Sequence, residues 1–281
     1  MSAVPDTTEL LDQIDSGTSA FYRHVLQALR DAGVPYLVGG AFALACFTDI
    51  RRHTKDLDLF IKRSDFERVA EVLRQAGYET ELTYPHWLGK VHAGDTFVDL
   101  IFGSGNGAAP VDDAWFQHAT DALVLGVPVK VSPPEESIWS KAFIMERERY
   151  DGADVAHLMH EVASRMDWRR LLDRFDGHWR VLMSHLVLFG FIYPAERARI
   201  PGWVMDELID RLRHETHAPP PRTDVCAGTL LSREQYLIDV EQQGYRDARV
   251  VPDGNMTPED VEHWTRCIPG RQEQPAAAGQ P

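Results

Sequence analysis

The stretch from Tyr36 to Lys62, YLVGGAFALACFTDIRRHTKDLDLFIK, constrains the fold of this chain more than any other. It reads as a short apolar strand, a Gly39-Gly40 turn, an apolar helix, a basic connector, and a second strand carrying Asp56 and Asp58. Side chains alternate along a strand, so Asp56 and Asp58 share one face while Leu57 and Leu59 share the other. Two carboxylates side by side on a core strand repel each other and lose hydration unless a positive charge stands between them. A divalent metal is one way to supply that charge.

Few classes of protein are excluded by composition. The 281 residues suffice for one large or two modest domains, and 44% apolar with 26% charged residues is ordinary for a globular chain. There is no run of about 18 apolar residues, so no membrane span is expected. The opening MSAVPDTTELLDQ has neither a basic n-region nor an apolar h-region. Cys46, Cys226 and Cys267 have no metal-type spacing and cannot all pair within the chain, which fits a reducing cytoplasm. The net charge of −14 disfavours non-specific nucleic-acid binding, although Arg51, Arg52, His53 and Lys55 form a local basic cluster.

Along the chain, Phe21, Val25, Leu26 and Leu29 mark a helix over 18–32 that stops at Gly33. Ser64-Asp65-Phe66-Glu67 has the pattern of a capping box for a helix running to Ala76. Strands are expected over 79–83, 96–102 and 127–131, and a short helix over 115–118. Ser132, Pro133 and Glu135 suggest a capped helix start, with Trp139, Lys141, Phe143, Arg147 and Arg149 on the helix that follows. From Asp151 the pattern is helical, interrupted by a Pro-rich linker over 217–222. SREQ at 232–235 and TPED at 257–260 start two further short helices.

A third carboxylate, Asp99, sits inside the apolar run TFVDLIF. If its strand neighbours that of Asp56 and Asp58, the three form an oxygen-rich cluster suited to a hard cation such as Mg²⁺. The Gly39-Gly40 turn opens a helix whose N-terminal N–H groups suit a phosphate. Blander readings of the same residues stand beside these. The aspartates also fit a solvated strand end paired with Arg51, Arg52 or Lys55, the glycines a plain tight turn, and Lys141 a surface helix residue. Asp151 and Asp154 fit N-terminal capping of a helix. GSGNG at 103–107 lacks the Lys-Ser/Thr of a phosphate loop and reads as a flexible connection. His157, His160 and Glu161 have helical ligand spacing without a further ligand set, which favours a structural role.

GGA at 39–41, KDLDLF at 55–60 and FVDLIF at 97–102 together resemble the nucleotidyltransferase superfamily of the DNA polymerase β type. VGGAFALACF, RRHTKDLDLF and KAFIMERERYDGADVAHLM are similar to its bacterial stand-alone and AbiEii-toxin-like branch. The resemblance covers about residues 34–160 and departs from many active members in having Ala41 where they carry Ser. It implies an α/β fold, a nucleotidyltransferase-like mixed sheet flanked by helices. A catalytic domain would span 18–150, a helical C-terminal domain 151–268 and a disordered tail 269–281.

The resemblance also implies metal-dependent transfer of NMP from an NTP to a hydroxyl or phosphate acceptor, with pyrophosphate released. Asp56, Asp58 and Asp99 would be the catalytic metal ligands for Mg²⁺ or Mn²⁺. Gly39 and Gly40 would cradle the triphosphate, Lys141 would reach a phosphate, Asp151 and Asp154 would orient Lys141 or an Arg, and Lys55 and Arg52 would touch nucleotide or acceptor. The acceptor is either RNA, such as a tRNA end, or a small hydroxylated molecule. The helical half is a candidate for homodimerisation or for contact with a cognate antitoxin. The alternative from another class is a catalytically inactive module that binds and senses a nucleotide.

Overall fold

A computed structural model of the chain describes residue 5 and residues 14–52, 54 and 56–268. Lys55 and the tail expected at 269–281 lie outside the described residues.

The first helix, α1 (Ser16–Asp31), is capped by Asp15, whose carboxylate accepts from the N–H groups of Gly17 and Thr18 at 3.0 and 2.9 Å. It stops at Gly33, where a φ of +61° lets the next N–H groups close back on Arg30 and Leu29. β1 (Leu37–Val38), α2 (Gly40–Thr48), β2 (Leu57–Phe60), α3 (Phe66–Gln75), β3 (Glu79–Tyr84), β4 (Leu88–Ala93) and β5 (Thr96–Ile101) follow. Then come α4 (Asp113–Gln117), β6 (Thr120–Val124), β7 (Val127–Val131) and α5 (Pro134–Ala142). Strands β4 and β6 go beyond the sequence expectation.

Seven strands form one mixed sheet in the order β3-β4-β5-β2-β1-β7-β6. β2 pairs parallel with β5 and β1 parallel with β7, while the other neighbours are antiparallel. The helical region continues with α6 (Gly152–Val162), α7 (Trp168–Phe175), α8 (Trp179–Ile192) and α9 (Gly202–His217). Beyond it lie β8 (Val225–Cys226), α10 (Leu237–Gln242), β9 (Arg246–Asp247) and α11 (Pro258–Arg266), with β8 and β9 pairing parallel. The expected architecture is present: a mixed sheet flanked by helices and followed by a mainly helical region. No helix among the described residues is long and apolar enough to cross a membrane.

Period-two alternation divides the strands between two cores. Leu57, Leu59, Val98 and Leu100 pack with α1 and α3 on one face. On the opposite face, Phe60 joins Trp115, Trp139, Phe143, Leu158, Phe175 and Phe189 in a core shared with the helical region. That core draws residues from both sides of residue 150. Asp58 therefore occupies the same face as Phe60, one step along the strand towards solvent, at the rim of the helical region.

Two expected caps are corrected. Residues Arg63–Asp65 form a 3-10 turn, and Asp65 at the start of α3 makes no side-chain cap bond. At α5 the cap position is Pro133, while the Ser132 hydroxyl meets that of Ser137 at 3.0 Å. Glu135 is drawn instead to Arg170 at 2.6 Å, and the fully buried Glu136 to Arg170 and Arg174 at 2.5 and 3.1 Å. These ion pairs clamp α5 to α7. The segment with Arg147 and Arg149 is not helical, because α5 ends at Ala142 and Met145 bridges to Tyr150 across a turn.

The GSGNG segment is also more than a connection. The Asn106 amide donates to the Leu230 carbonyl, the Asn255 amide donates to the Gly107 carbonyl at 3.0 Å, and Gly105 lies against the Trp264 ring. A Cβ on Gly105 would lie 2.7 Å from that ring, and Gly107 has a φ of +74° with Met256 2.9 Å from where its Cβ would stand.

Candidate active site

The turn after β1 brings α2 onto β2. The Gly39 N–H donates to the Asp58 carbonyl at 2.8 Å, so the turn and the strand are fastened at the aspartate itself. A Cβ on Gly39 would lie 2.3 Å from the Phe60 ring, and one on Gly40 would lie 1.8 Å from Asp58 Oδ2. Gly40 also has a φ of +54°. Both glycines are thus required by close approach, and the N-terminus of α2 stands beside the Asp58 carboxylate.

Asp58 and Asp99 are direct partners in the parallel β2–β5 register, and Asp56 precedes β2 by one residue. One carboxylate oxygen from each of Asp56, Asp58 and Asp99 lies within 4.8 Å of the other two. The Thr54 hydroxyl donates to Asp56 Oδ1 at 2.8 Å and holds that side chain towards the cluster. Burial, followed by the charges of Asp56 and Asp99, pushes the Asp58 carboxyl up to about 7, against an ordinary value of 3.8. Burial likewise raises Asp99, opposed by the ammonium of Lys90 at 2.6 Å from Oδ1. Three converging hard oxygens with a surplus of negative charge are a donor set that fits Mg²⁺ or Mn²⁺.

Lys141 approaches from the helical side. Together with Gly40, Phe60 and Ser140 it lines a void of about 20 Å³. Its ammonium is 2.8 Å from Asp154 Oδ2 and 3.2 Å from Asp151 Oδ2. Burial works against the Lys141 charge, and the two aspartates outweigh it, leaving the pKa raised. Arg149 forks onto Asp151 through two bonds of 3.0 Å, and Arg52 pairs with Asp154. Asp151 and Asp154 are therefore bonded to cations, and the Asp151 side chain makes no cap bond to α6. The positive charges of Lys141 and Arg149 both reach Asp58 and favour its ionised form.

Of the residues singled out from sequence, Gly39, Gly40, Asp56, Asp58 and Asp99 converge directly, and Lys141 stands beside Gly40. Arg52 is held on Asp154, with its guanidinium partly exposed. His160 meets Glu161 at 2.6 Å, and the only group of metal-ligating side chains found among the described residues is the aspartate triad. Lys90 and Arg149 are additions. Lys90 had a signal in the alternation of LGKVHA, where positions 90 and 92 are polar and 91 is apolar, but its partner is set by sheet register.

The model of a family described as uncharacterised nucleotidyltransferases matches residues 16–186 of this chain. The chain belongs to that nucleotidyltransferase family and is a transferase. A comparison with curated proteins returns no match. Among solved structures it is similar to the antibiotic-resistance factor ANT(2'')-Ia at 17% identity and a TM-score of 0.41, covering 61% of this chain and 98% of that one. It is similar to the lincosamide antibiotic adenylyltransferase LnuA at 14% identity and 0.37, covering 52% and 96%. For an antigenic nucleotidyltransferase-like protein from Paracoccidioides brasiliensis the values are 16% and 0.35, covering 61% and 93%. These are distant likenesses and say nothing about an acceptor.

Proposed function

We propose that this chain transfers NMP from a nucleoside triphosphate to an acceptor hydroxyl, dependent on a divalent metal and releasing pyrophosphate. The observation that carries this reading is the convergence of Asp56, Asp58 and Asp99 beside the Gly39-Gly40 turn, in a member of a nucleotidyltransferase family. Asp56 and Asp58 would hold Mg²⁺ or Mn²⁺, which when bound neutralises the triphosphate and the charge that develops as phosphate oxygens are displaced.

The protein's own groups divide the remaining work. The α2 N-terminus offers backbone N–H groups to a phosphate, and Ala41 in place of Ser removes a hydroxyl but no backbone donor. Lys141 and Arg149 add positive charge on the side of the triphosphate, with Asp151 and Asp154 fixing where that charge stands. The acceptor oxygen attacks the α-phosphorus, the bond from that phosphorus to the bridging oxygen of the β-phosphate breaks, and pyrophosphate leaves with its electron pair. Asp99 takes the hydroxyl proton, a task for which a raised carboxylate pKa is suited.

A small hydroxylated molecule is the favoured acceptor class, since a chain of net charge −14 repels a polyanion at a distance. The test supplies Mg²⁺ and α-labelled NTPs with separate pools of small metabolites, RNA and protein. Label is expected in the metabolite pool with wild type and in no pool with Asp58→Ala. Label in RNA alone would overturn the acceptor class, and transfer surviving in Asp58→Ala would overturn the site.

A further inference from the structure

Lys90 has no part in the chemistry above, yet it makes a close ion pair with the triad at Asp99. β4 places it directly opposite Asp99 in the antiparallel register, so Lys90, Asp99 and Asp58 form a row on one sheet face across three adjacent strands. Its ammonium is 2.6 Å from Asp99 Oδ1 and 3.8 Å from the centroid of the Phe97 ring. The Lys90 and Asp99 side chains are only 22% and 15% exposed. Register, ring and carboxylate thus fix the position of this cation from three directions, and the aromatic face below it adds its own attraction.

The consequence concerns how many divalent ions the triad can accept. Two-metal phosphoryl-transfer sites hold their ions about 3.5–4 Å apart, with carboxylates serving each. An ion serving the Asp99 side, whether it takes Oδ1 or Oδ2, has to sit within a few ångströms of an ammonium already hydrogen-bonded to that carboxylate, or displace it. Asp56 and Asp58 lie on the other side of the cluster, away from β4.

We propose that Lys90 is the resident cation of the Asp99 side, standing where a second divalent ion would otherwise bind, so that the nucleotide-free chain takes one divalent ion, at Asp56 and Asp58. Lys90 is then a positioning residue. It keeps the Asp99 carboxylate turned towards the cluster and sets the metal count. This inference rests on the proposed metal site.

The test counts Mn²⁺ bound per chain by the loss of the free-ion electron paramagnetic resonance signal, without nucleotide. Wild type and Lys90→Arg are expected to bind one ion, Lys90→Met two, and Asp58→Asn none. Lys90→Gln replaces the methionine variant should that one not fold, as judged by thermal melting. Two ions in wild type, or one ion in the folded neutral variant, would overturn the role of Lys90 and leave the metal site standing. Absence of Mn²⁺ binding in wild type, or full binding in Asp58→Asn, would overturn the metal site itself and the Lys90 role with it.

Discussion

Replacing Asp58 by Asn is expected to stabilise the metal-free protein, and to do so only where Asp58 would be ionised. The Asp58 carboxyl is raised to about 7 in the folded chain from an ordinary 3.8. The folded state therefore holds this proton more tightly than the unfolded state does. Stability is lost as pH climbs from about 4 to about 7, and above that range the whole penalty is present. The shift of about three units sets a ceiling of about 4 kcal/mol, and between about pH 5 and about pH 8 the loss is roughly 2.5 kcal/mol. Denaturant unfolding of wild type and Asp58→Asn in a chelating buffer measures it. The stability gap in favour of the variant is expected to widen by roughly 2.5 kcal/mol from about pH 5 to about pH 8. Added Mg²⁺ should close the gap from the wild-type side, because a ligand that binds only the folded state stabilises it. A gap that does not change with pH would refute the reasoning that buried, mutually repelling carboxylates define the site.

Two further substitutions probe the surroundings. Gly40→Ala puts a Cβ where Asp58 Oδ2 stands and forces a residue with a side chain to a φ of +54°, a strain of about 1–3 kcal/mol. Its Mn²⁺ affinity is expected to fall at least about tenfold by calorimetry, and an unchanged affinity would show that Asp58 does not bind the ion from this position. Lys141→Met removes the shared cation of Asp151 and Asp154, whose side chains are 11% exposed. Arg149 and Arg52 remain as partners, so a loss near the lower end of the range for broken buried pairs, about 3 kcal/mol, is expected in guanidinium unfolding. A loss below about 0.5 kcal/mol would mark Lys141 as the solvated surface residue it resembles in sequence.

The parts of this molecule legible in its sequence are those fixed by local geometry. Asp56 and Asp58 announce a shared face by their spacing, Gly33 marks a helix stop at positive φ, and the Gly39-Gly40 pair marks a turn that side chains would obstruct. The adjacency of β2 and β5, which makes Asp99 a partner of Asp58, could be expected from the chemistry of three carboxylates. What stayed hidden depends on distant partners. β4 carries Gly89 and two polar residues, and it becomes a strand because β3 and β5 flank it. β6, TDALV, gains its place by pairing with β7 across Leu125 and Gly126. The apparent cap at Ser64 gives way to a 3-10 turn over Arg63–Asp65, and that at Ser132 to tertiary contacts that outweigh local preference. Glu135 serves Arg170 on α7 instead of the start of its own helix. The alternation of LGKVHA points to Lys90, but only the sheet register places it on Asp99, and Arg149 stays hidden because its segment reads as a continuation of α5.

The central claim is that the triad catalyses transfer of the nucleotide part of an NTP, and the most direct measurement counts both products of one reaction. With Mg²⁺, an α-labelled NTP and the acceptor pool that takes label, wild type should release one pyrophosphate for each label transferred, and Asp58→Ala should yield neither. Release of inorganic phosphate in step with acceptor modification, or pyrophosphate without any labelled acceptor, would contradict it.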